Sequence, residues 1–426
     1  MFYIADAVMG TGKSKEAIRS MNSDINQKFI VLAPSLDEVT RYKEGVSIEF
    51  SGKRADVVAL DKEDGSNKTE QFLDAVRNGR TVIVTHNLFS RLSEYDLVIL
   101  GNLNEYALII DETITLVEKK GPLNDNIENL LKLGYIKAED HKSIEGLKVY
   151  SLLPEGETAL AGTSSLNKTA RMVSGKHVYK VGQHNVVFVV PPEKLTVFKD
   201  VYLKTYLFLG SETHAWLEVF SIPYDHKELY RDATRGLESK PHSGVYSGSK
   251  FKALLTVYDG KINDIGVKKG NEKKNPLTKT WYESKEKPSE KHTRKKLMNN
   301  TRTFFRRVNP SGNTDDILWS CYKDYRDWFK DGRFDPKEKK ETFLPWNTRG
   351  TNDYADRHYL AYLVNVHPHP DLAQFFQMHT RVFDKDTYAL SAMIQWVWRS
   401  AIRNWEPVTL YLPSERMRKL LGGWLE

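Results

Sequence analysis

Apolar and polar residues alternate in blocks along the first 170 residues of the chain. Short apolar runs rich in β-forming residues are separated by helix-like stretches such as KEAIRSM and TEQFLDAVRN; the runs are FYIADAV, FIVLAP, TVIVTH and ALIIDE. This order is typical of a parallel sheet with crossover helices. Strands that are apolar throughout, such as 107–110, indicate a sheet covered on both faces. A helical stretch, IENLLKLGYI, and a further strand ending in ALAGTSS follow, so the pattern predicts an α/β fold.

A second α/β unit is predicted to begin near Val197 with VFKDVYLKTYLFLGS. A polar, basic region interrupts it, and it resumes at HYLAYLVNV. A helical tract, ALSAMIQWVWRSAIRNW, and the strand VTLYLP then follow. We therefore predict two similar α/β lobes in tandem, residues 1–190 and 191–426, with a basic insertion at about 230–345 in the second lobe.

The composition narrows the class of protein. The chain has 426 residues, of which 40% are hydrophobic and 28% charged, as in ordinary globular proteins of two or three domains. No apolar run approaches the roughly 18 residues of a membrane helix, and the N-terminus lacks the basic stretch of a signal peptide. We therefore expect a cytoplasmic protein without a membrane partner. Cys321 is the only cysteine, which excludes an internal disulfide and a cysteine-rich metal site.

The net charge of +7 is concentrated in one segment. Residues 240–307 contain 18 Lys+Arg and 6 Asp+Glu, a local net charge of +12, so the remainder of the chain carries −5. The segment is rich in Gly, Pro, Ser and Asn, which favours a loop or insertion. Its charge favours a polyanionic partner, although a solvated linker that keeps the chain soluble is an alternative. The residues that we expect to contact nucleic acid are Lys268, Lys269, Lys273, Lys274 and Trp281, whose indole could stack on a base.

A glycine-rich loop lies between the first apolar strand and the first helix-like stretch. Its sequence is AVMGTGKS, and the residues that we expect to bind phosphate are Gly10, Thr11, Gly12, Lys13 and Ser14. Glycines let backbone N–H groups approach phosphate oxygens, lysine neutralises the β and γ oxygens, and the serine hydroxyl can bind Mg²⁺. Ala7 stands where the usual pattern has its first glycine. The loop predicts a nucleoside triphosphate site.

Two adjacent carboxylates end the apolar run LIIDE. In NTPases with a phosphate-binding loop, the aspartate holds Mg²⁺ and an adjacent glutamate can orient or deprotonate the attacking water. We assign these roles to Asp111 and Glu112. The alternative is that the two residues only cap the next helix. Together with the loop, this pair predicts NTP hydrolysis.

The tract QWVWRSAIR carries Gln395, Arg399 and Arg403 at positions i, i+4 and i+8. On a continuous helix, these three residues would share one face. An arginine supplied by a second lobe stabilises the charge on a transferred γ-phosphate, which would couple hydrolysis to lobe movement. The alternative is a solvated or ion-paired helix face.

Together these segments resemble superfamily 2 helicases of the DEAD/DEAH-like type common in tailed-phage genomes. The resemblance covers most of the chain: AVMGTGKS matches motif I, VLAPSLDEV motif Ia, TVIVTHNLF motif Ib, LIIDE motif II and LAGTSS motif III. WNTRGTNDYADRHYLAYLV lies in the position of motif V, and QWVWRSAIR resembles motif VI.

The resemblance implies two RecA-like lobes that use ATP and Mg²⁺ to move along or unwind DNA in phage replication, recombination or repair, in the host cytoplasm. Lys13 and Ser14 would bind phosphate and Mg²⁺, while Gln395 and Arg399 would reach the γ-phosphate. The family's second motif VI arginine lies seven residues after the glutamine, where this chain has Ile402. We therefore prefer Arg399 over Arg403 as the arginine finger, the residue that stabilises charge on the γ-phosphate.

Two further departures bear on the substrate. Only 12 residues precede Lys13, which leaves no room for the glutamine motif with which DEAD-box RNA helicases read adenine. The purine preference therefore stays open, and RNA is less favoured as a partner than single-stranded or forked DNA. Glu112 is followed by Thr113, so the DEAD and DEAH tetrapeptides are both absent. Two alternatives remain open: a DNA-packaging motor resembling terminase large subunits, and a basic nucleic-acid-binding protein in which ATP acts as a switch.

Overall fold

The computed structural model describes residues 1–46, 56–60, 67–92, 96–97, 100–159, 164–232, 234, 236–265, 276–310, 312–332, 334, 341–348 and 350–426. The chain divides into two compact units. The first unit comprises Met1–Ser243 and Pro368–Asp384, and the second comprises Gly244–His367 and Lys385–Glu426. Each unit contains a parallel sheet with helices, so the predicted α/β fold class is confirmed.

The regular elements of the described residues are as follows. The strands are β1 (Phe2–Asp6), β2 (Lys28–Ala33), β3 (Val57–Ala59), β4 (Thr81–Thr85), β5 (Tyr106–Asp111), β6 (Val117–Gly121), β7 (Ile136–Asp140), β8 (Leu147–Leu152), β9 (Lys176–Val181), β10 (Asn185–Val189), β11 (Asp200–Thr205), β12 (Tyr224–Asp232), β13 (Gly236–Pro241), β14 (Leu255–Val257), β15 (Ile317–Ser320), β16 (Tyr359–Tyr362) and β17 (Val408–Tyr411). The helices are α1 (Lys13–Ser23), α2 (Leu36–Val46), α3 (Lys68–Arg77), α4 (His86–Arg91), α5 (Asn124–Lys132), α6 (Pro154–Ala159), α7 (Ser165–Val173), α8 (Glu193–Thr196), α9 (Glu212–Val219), α10 (Lys279–Ser284), α11 (Lys291–Val308), α12 (Pro370–His379), α13 (Lys385–Val397) and α14 (Glu415–Leu425).

The main sheet of the first unit has the strand order β13-β12-β1-β11-β5-β2-β4-β3. Its neighbouring strands are parallel, except that β13 runs antiparallel to β12. One face packs on α1 and α2 through a core that includes Ala17, Tyr42, Val31 and Ile109. β5 is buried along its whole length, as a strand covered on both faces must be. This order places the ends of β1, β11 and β5 side by side.

A smaller antiparallel sheet, β6-β10-β9-β8-β7, completes the first unit. Helix α12 packs on it, because Tyr179 of β9 meets the rings of Phe375 and His379 edge-on at 5.2 and 5.1 Å. The predicted strand ending in ALAGTSS is wrong: β8 ends at Leu152, and α6 follows it. Residues 160–163 lie outside the described part of the chain.

The predicted boundary at residue 190 is also wrong. β11 does not open a second sheet but lies between β1 and β5, with Leu203 opposite both Ile4 and Ile110. A buried apolar strand has the same sequence pattern in either position, because the pattern reports burial and not strand order. The first unit therefore extends to Ser243.

The second unit has the parallel order β14-β17-β16-β15. β14 and β15 both lie within the range predicted to be an insertion, 230–345, so much of that range forms part of the domain. α11 also contributes Leu297, Phe304 and Phe305 to the core. The apolar period of this helix is weak in the sequence, because few of its 18 residues are apolar and one buried position is Thr301.

Trp281 lies in this core rather than on a nucleic-acid surface. It is 6% exposed and meets the ring of Tyr282 edge-on at 5.2 Å. Its helix α10 begins where the Thr278 hydroxyl accepts a hydrogen bond from the Trp281 backbone N–H at 3.2 Å. The predicted base-stacking role of Trp281 is therefore wrong, because basic neighbours in sequence do not determine whether an aromatic residue is buried.

We expect Trp281→Ala to lower the free energy of unfolding by about 3–5 kcal/mol, because it leaves a cavity in an aromatic core. Trp281→Phe should cost less, since it retains a ring. Urea denaturation of the three proteins measures the difference. Unchanged stability of the alanine variant, together with weaker DNA binding, would restore the base-stacking assignment.

Candidate nucleotide site

The loop AVMGTGKS connects β1 to α1, as expected for a phosphate-binding loop. Gly10 and Gly12 have φ values of 80° and 109°, a region that residues with a side chain rarely adopt. No side chain caps the N-terminus of α1, so its first N–H groups remain available to a ligand. Backbone donors at a helix N-terminus favour an anion.

The loop and the acidic pair meet through a direct hydrogen bond. The Ser14 hydroxyl donates to Asp111 Oδ2 at 2.7 Å, and the Tyr42 hydroxyl donates to the same oxygen at 3.0 Å. Asp111 is only 5% exposed, and burial raises its pKa, although the hydrogen bonds from Ser14 and Tyr42 oppose this shift. A hydroxyl and a carboxylate oxygen are both hard ligands of the kind that Mg²⁺ prefers. The residues present therefore fit a Mg²⁺ ion.

Lys13 lies within the curve of the loop. Its Nζ donates to the carbonyl oxygen of Ala7 and, at 3.2 Å, to that of Val8. Burial lowers the pKa of Lys13 to about 8, while the carboxylates of Asp111, Asp6 and Glu112 act in the opposite direction. The lysine thus directs its donors at loop carbonyls, which phosphate oxygens could replace as acceptors.

Glu112 follows the end of β5 in an unusual backbone conformation. Its φ is 65°, in the left-handed region that is uncommon for residues other than glycine. Its backbone N–H donates to the Lys204 carbonyl at 2.9 Å, which fixes this turn against β11. Such strain is found at functional sites, where the surrounding structure maintains it.

Two charged residues beside this site did not emerge from the sequence patterns. Lys204 in β11 pairs in register with Asp111, is 7% exposed and donates to Glu16 Oε2 at 2.5 Å. Asp6, at the end of β1, accepts hydrogen bonds from the backbone N–H groups of Leu207 and Phe208 at 3.1 and 3.0 Å. The signal in both cases was a single charge within an apolar run, which marks a buried polar position.

Asp6 also belongs to a group of potential metal ligands. Its Oδ2 lies 3.0 Å from His226 Nε2, and a ligand atom of His242 lies within 4.8 Å of both residues. The two imidazole rings are stacked, with centroids 4.2 Å apart and planes 9° apart. Stacked parallel rings do not direct their nitrogens at a common ion, so we do not assign a metal to this group.

Arg231 approaches the phosphate-binding loop from β12, the strand next to β1. Its Nη2 donates to the Thr11 carbonyl at 3.2 Å and lies 3.3 Å from the position of a side-chain Cβ on Gly12. β12 continues beyond the end of β1, because Asp6 is paired with Glu228. No sequence motif marks this arginine.

LAGTSS, the segment that resembles motif III, does not follow the strand next to β5. The strand between β1 and β5 is β11, and Ser211-Glu212-Thr213 follows it. Of LAGTSS only Ser164 and Ser165 are among the described residues, and the Ser164 hydroxyl caps α7 by accepting a hydrogen bond from the Asn167 N–H at 3.2 Å. The Ser211 hydroxyl caps α9 by accepting a hydrogen bond from the His214 N–H at 3.1 Å. The Ser/Thr-containing turn next to the acidic strand is therefore at 211–213.

The C-terminal residues do not form the predicted helix face. α13 ends at Val397, the backbone is extended at Ser400, and Arg403 lies in a separate 3₁₀ helix, Ala401–Asn404. Arg399 is 4% exposed, and its Nη1 donates to the Thr351 carbonyl at 3.4 Å. Gln395 Nε2 donates to the Ser391 hydroxyl at 3.1 Å. These residues belong to the second unit, whereas the site described above belongs to the first.

The four lysines predicted to contact nucleic acid, Lys268, Lys269, Lys273 and Lys274, lie outside the described residues.

Within the described part of the chain, no helix is both long and apolar enough to cross a membrane.

Comparison with known proteins gives the following similarities. Residues 249–425 match the family model for the YonV C-terminal Rossmann-like domain. The chain is 28% identical over 431 residues to the SPbeta prophage-derived protein YonV of Bacillus subtilis (strain 168), covering 99% of this chain and 98% of YonV. Among solved structures, an XPD helicase has a TM-score of 0.47 at 12% identity and covers 99% of this chain and 94% of its own. Xpd4 of S. tokodaii has a TM-score of 0.47 at 10% identity, with 99% and 93% covered.

The similar sequence is thus prophage-derived, and the similar structures are XPD-type helicases.

The lowered pKa of Lys13 predicts a pH dependence of nucleotide binding. Below pH 8 the Lys13 amine of the free protein is protonated and positively charged. Above pH 8 the amine is mostly neutral, so it must take up a proton when phosphate binds. Affinity for ATP should therefore fall above pH 8, by up to tenfold per pH unit. Dissociation constants measured from pH 6.5 to 9.5 test this. In Lys13→Arg, which stays charged, the decrease should disappear; a decrease of equal steepness in that variant would assign it to another group.

Proposed function

We propose that this protein is an ATP hydrolase that moves along or unwinds DNA, a helicase or translocase. The observation that carries the proposal is the 2.7 Å hydrogen bond between Ser14 and Asp111 beside Lys13. It supports a nucleotide site in the first unit, because the phosphate-binding loop and its acidic partner already lie in contact.

Each residue of the site has a role in hydrolysis. Backbone N–H groups from Gly10 to Ser14 and the ammonium group of Lys13 would bind the phosphates of ATP. Ser14 and Asp111 would hold Mg²⁺, which when bound neutralises the negative charge of the phosphate oxygens. Glu112 would orient the attacking water and accept its proton.

The nucleic-acid part of the proposal has two supports. Residues 240–307 carry a net charge of +12, which favours a polyanionic partner. The similarity to a prophage-derived protein over nearly the whole chain supports a role in phage replication, recombination or repair, as for helicases of the tailed-phage type. Single-stranded or forked DNA is the substrate that we propose.

Lys13→Ala should abolish ATP turnover, because it removes the cation that contacts the β and γ phosphates. Glu112→Gln should bind ATP as the wild type does but hydrolyse it much more slowly, since an amide cannot accept a proton. Steady-state ATPase assays and equilibrium binding of labelled ATP measure the two steps. ATP binding without turnover in the wild type would instead favour the switch alternative.

A second-unit arginine is proposed to stabilise charge on the γ-phosphate. Arg399→Ala should lower turnover by about 10³-fold with little change in ATP affinity if Arg399 is that residue. Because Arg399 is buried, thermal unfolding must be recorded for the same variant. Arg403→Ala is the matched variant at a partly exposed position. A greater loss of turnover in Arg403→Ala, with Arg399→Ala only less stable, would transfer the role to Arg403.

A further inference from the structure

Helix α11 presents a row of basic side chains on one face. Lys291, Lys295, Arg302 and Arg306 follow one another at intervals of four, seven and four residues, which places them on a common helix face. Three of the four are exposed and Arg302 is partly exposed. The opposite face is buried through Leu297, Thr301, Phe304 and Phe305. We refer to the four basic residues as the α11 row.

Within the described residues, no acidic side chain pairs with the charges of the α11 row. Residues 291–308 contain no Asp or Glu, and in the part of the chain that the structure describes none of the four residues forms an ion pair. Like charges at i and i+4 destabilise a helix. Cations in the first turn also oppose the helix dipole. The helix therefore maintains an arrangement that a bound anion would stabilise.

A pocket lies at the C-terminal end of the α11 row. It has a volume of about 480 Å³, and its lining includes Arg302, Arg306, Asn309 and Thr314. Thr314 is 9% exposed, and its Oγ1 is buried with no hydrogen-bond partner among the residues that the structure describes. A buried hydroxyl without a partner is costly, and a polar ligand bound in the pocket that Thr314 lines would offset this cost. Two guanidinium groups and a hydroxyl are suitable donors for phosphate oxygens.

The length of the row indicates what kind of anion binds. Fifteen residues separate Lys291 from Arg306, a rise of about 22 Å along the helix, which is too long for one phosphate group. A single row of four cations can follow successive phosphates of one strand. We infer that the α11 row binds the backbone of single-stranded DNA, with one phosphate in the pocket. The inference rests on the proposed function and names the element that holds its nucleic acid.

The test replaces all four residues of the row by glutamine. Affinity for a fluorescent oligothymidylate is measured from roughly 50 to 200 mM salt, where the plot of log affinity against log salt has a slope of about 0.7 per phosphate contact for single strands. We expect the slope of the variant to be flatter by about 2.8. The matched control replaces Lys323, Lys330, Lys385 and Lys419, which are exposed lysines of the same unit outside residues 240–307, and should retain the wild-type slope.

A second variant tests the pocket without changing the charge. Thr314→Val keeps the shape of the side chain but removes its hydroxyl, and we expect about tenfold weaker binding, the loss for one hydrogen bond to a charged group. Equal flattening in the control variant, or an unchanged slope in the row variant, would overturn the inference. Tighter binding of RNA or of an acidic peptide, lost in the row variant, would overturn the assignment to DNA.

The ATPase separates this inference from the proposed function. None of the four residues belongs to the nucleotide site, so basal turnover without DNA should equal that of the wild type. Normal turnover with unchanged DNA binding would refute the α11 row alone. If the wild type neither binds nor hydrolyses ATP but the row variant loses DNA binding, the proposed function fails and the DNA surface stands.

Discussion

The hydrogen bond between Ser14 and Asp111 is the contact on which the candidate site depends. It joins the first turn of α1 to the end of β5, two segments separated by 97 residues. The contact exists because β11 alone separates β1 from β5, so that their parallel carboxyl ends lie side by side. Tyr42 of α2 supports the same carboxylate. A different strand order would leave the same motifs apart and without a common ligand.

Lysines and carboxylates around this hydrogen bond compensate one another's charge, and none of them could be buried alone. Lys13 and Lys204 lie among Asp6, Glu16, Asp111 and Glu112, and each lysine has a hydrogen-bond acceptor. Burial of an unpaired charge would be costly, so the group is maintained as a whole. Mg²⁺ and phosphate would add a cation and an anion to this set. The site would thus hold its ligand atoms in place before a nucleotide bound, which would reduce the ordering required on binding.

Local features of the site could be predicted from the sequence, but its assembly could not. Gly10, Gly12 and Lys13 form a short motif whose conformation depends on neighbouring residues, and the apolar run before Asp111 indicates a buried strand. Strand order depends on distant contacts, so β11 was placed in the wrong unit and the Ser211 turn was missed. Burial of Trp281 was missed for the same reason. The end of α13 at Val397 could not be predicted because the following residues also favour a helix.

The most direct measurement is calorimetric titration of a non-hydrolysable ATP analogue with and without Mg²⁺. For the wild type, the account predicts one site per chain and an affinity that rises when Mg²⁺ is present. In Ser14→Ala and Asp111→Asn the analogue should still bind through the loop, but the gain from Mg²⁺ should be lost. Absence of binding to the wild type, or a Mg²⁺ gain that survives in both variants, would contradict the central claim.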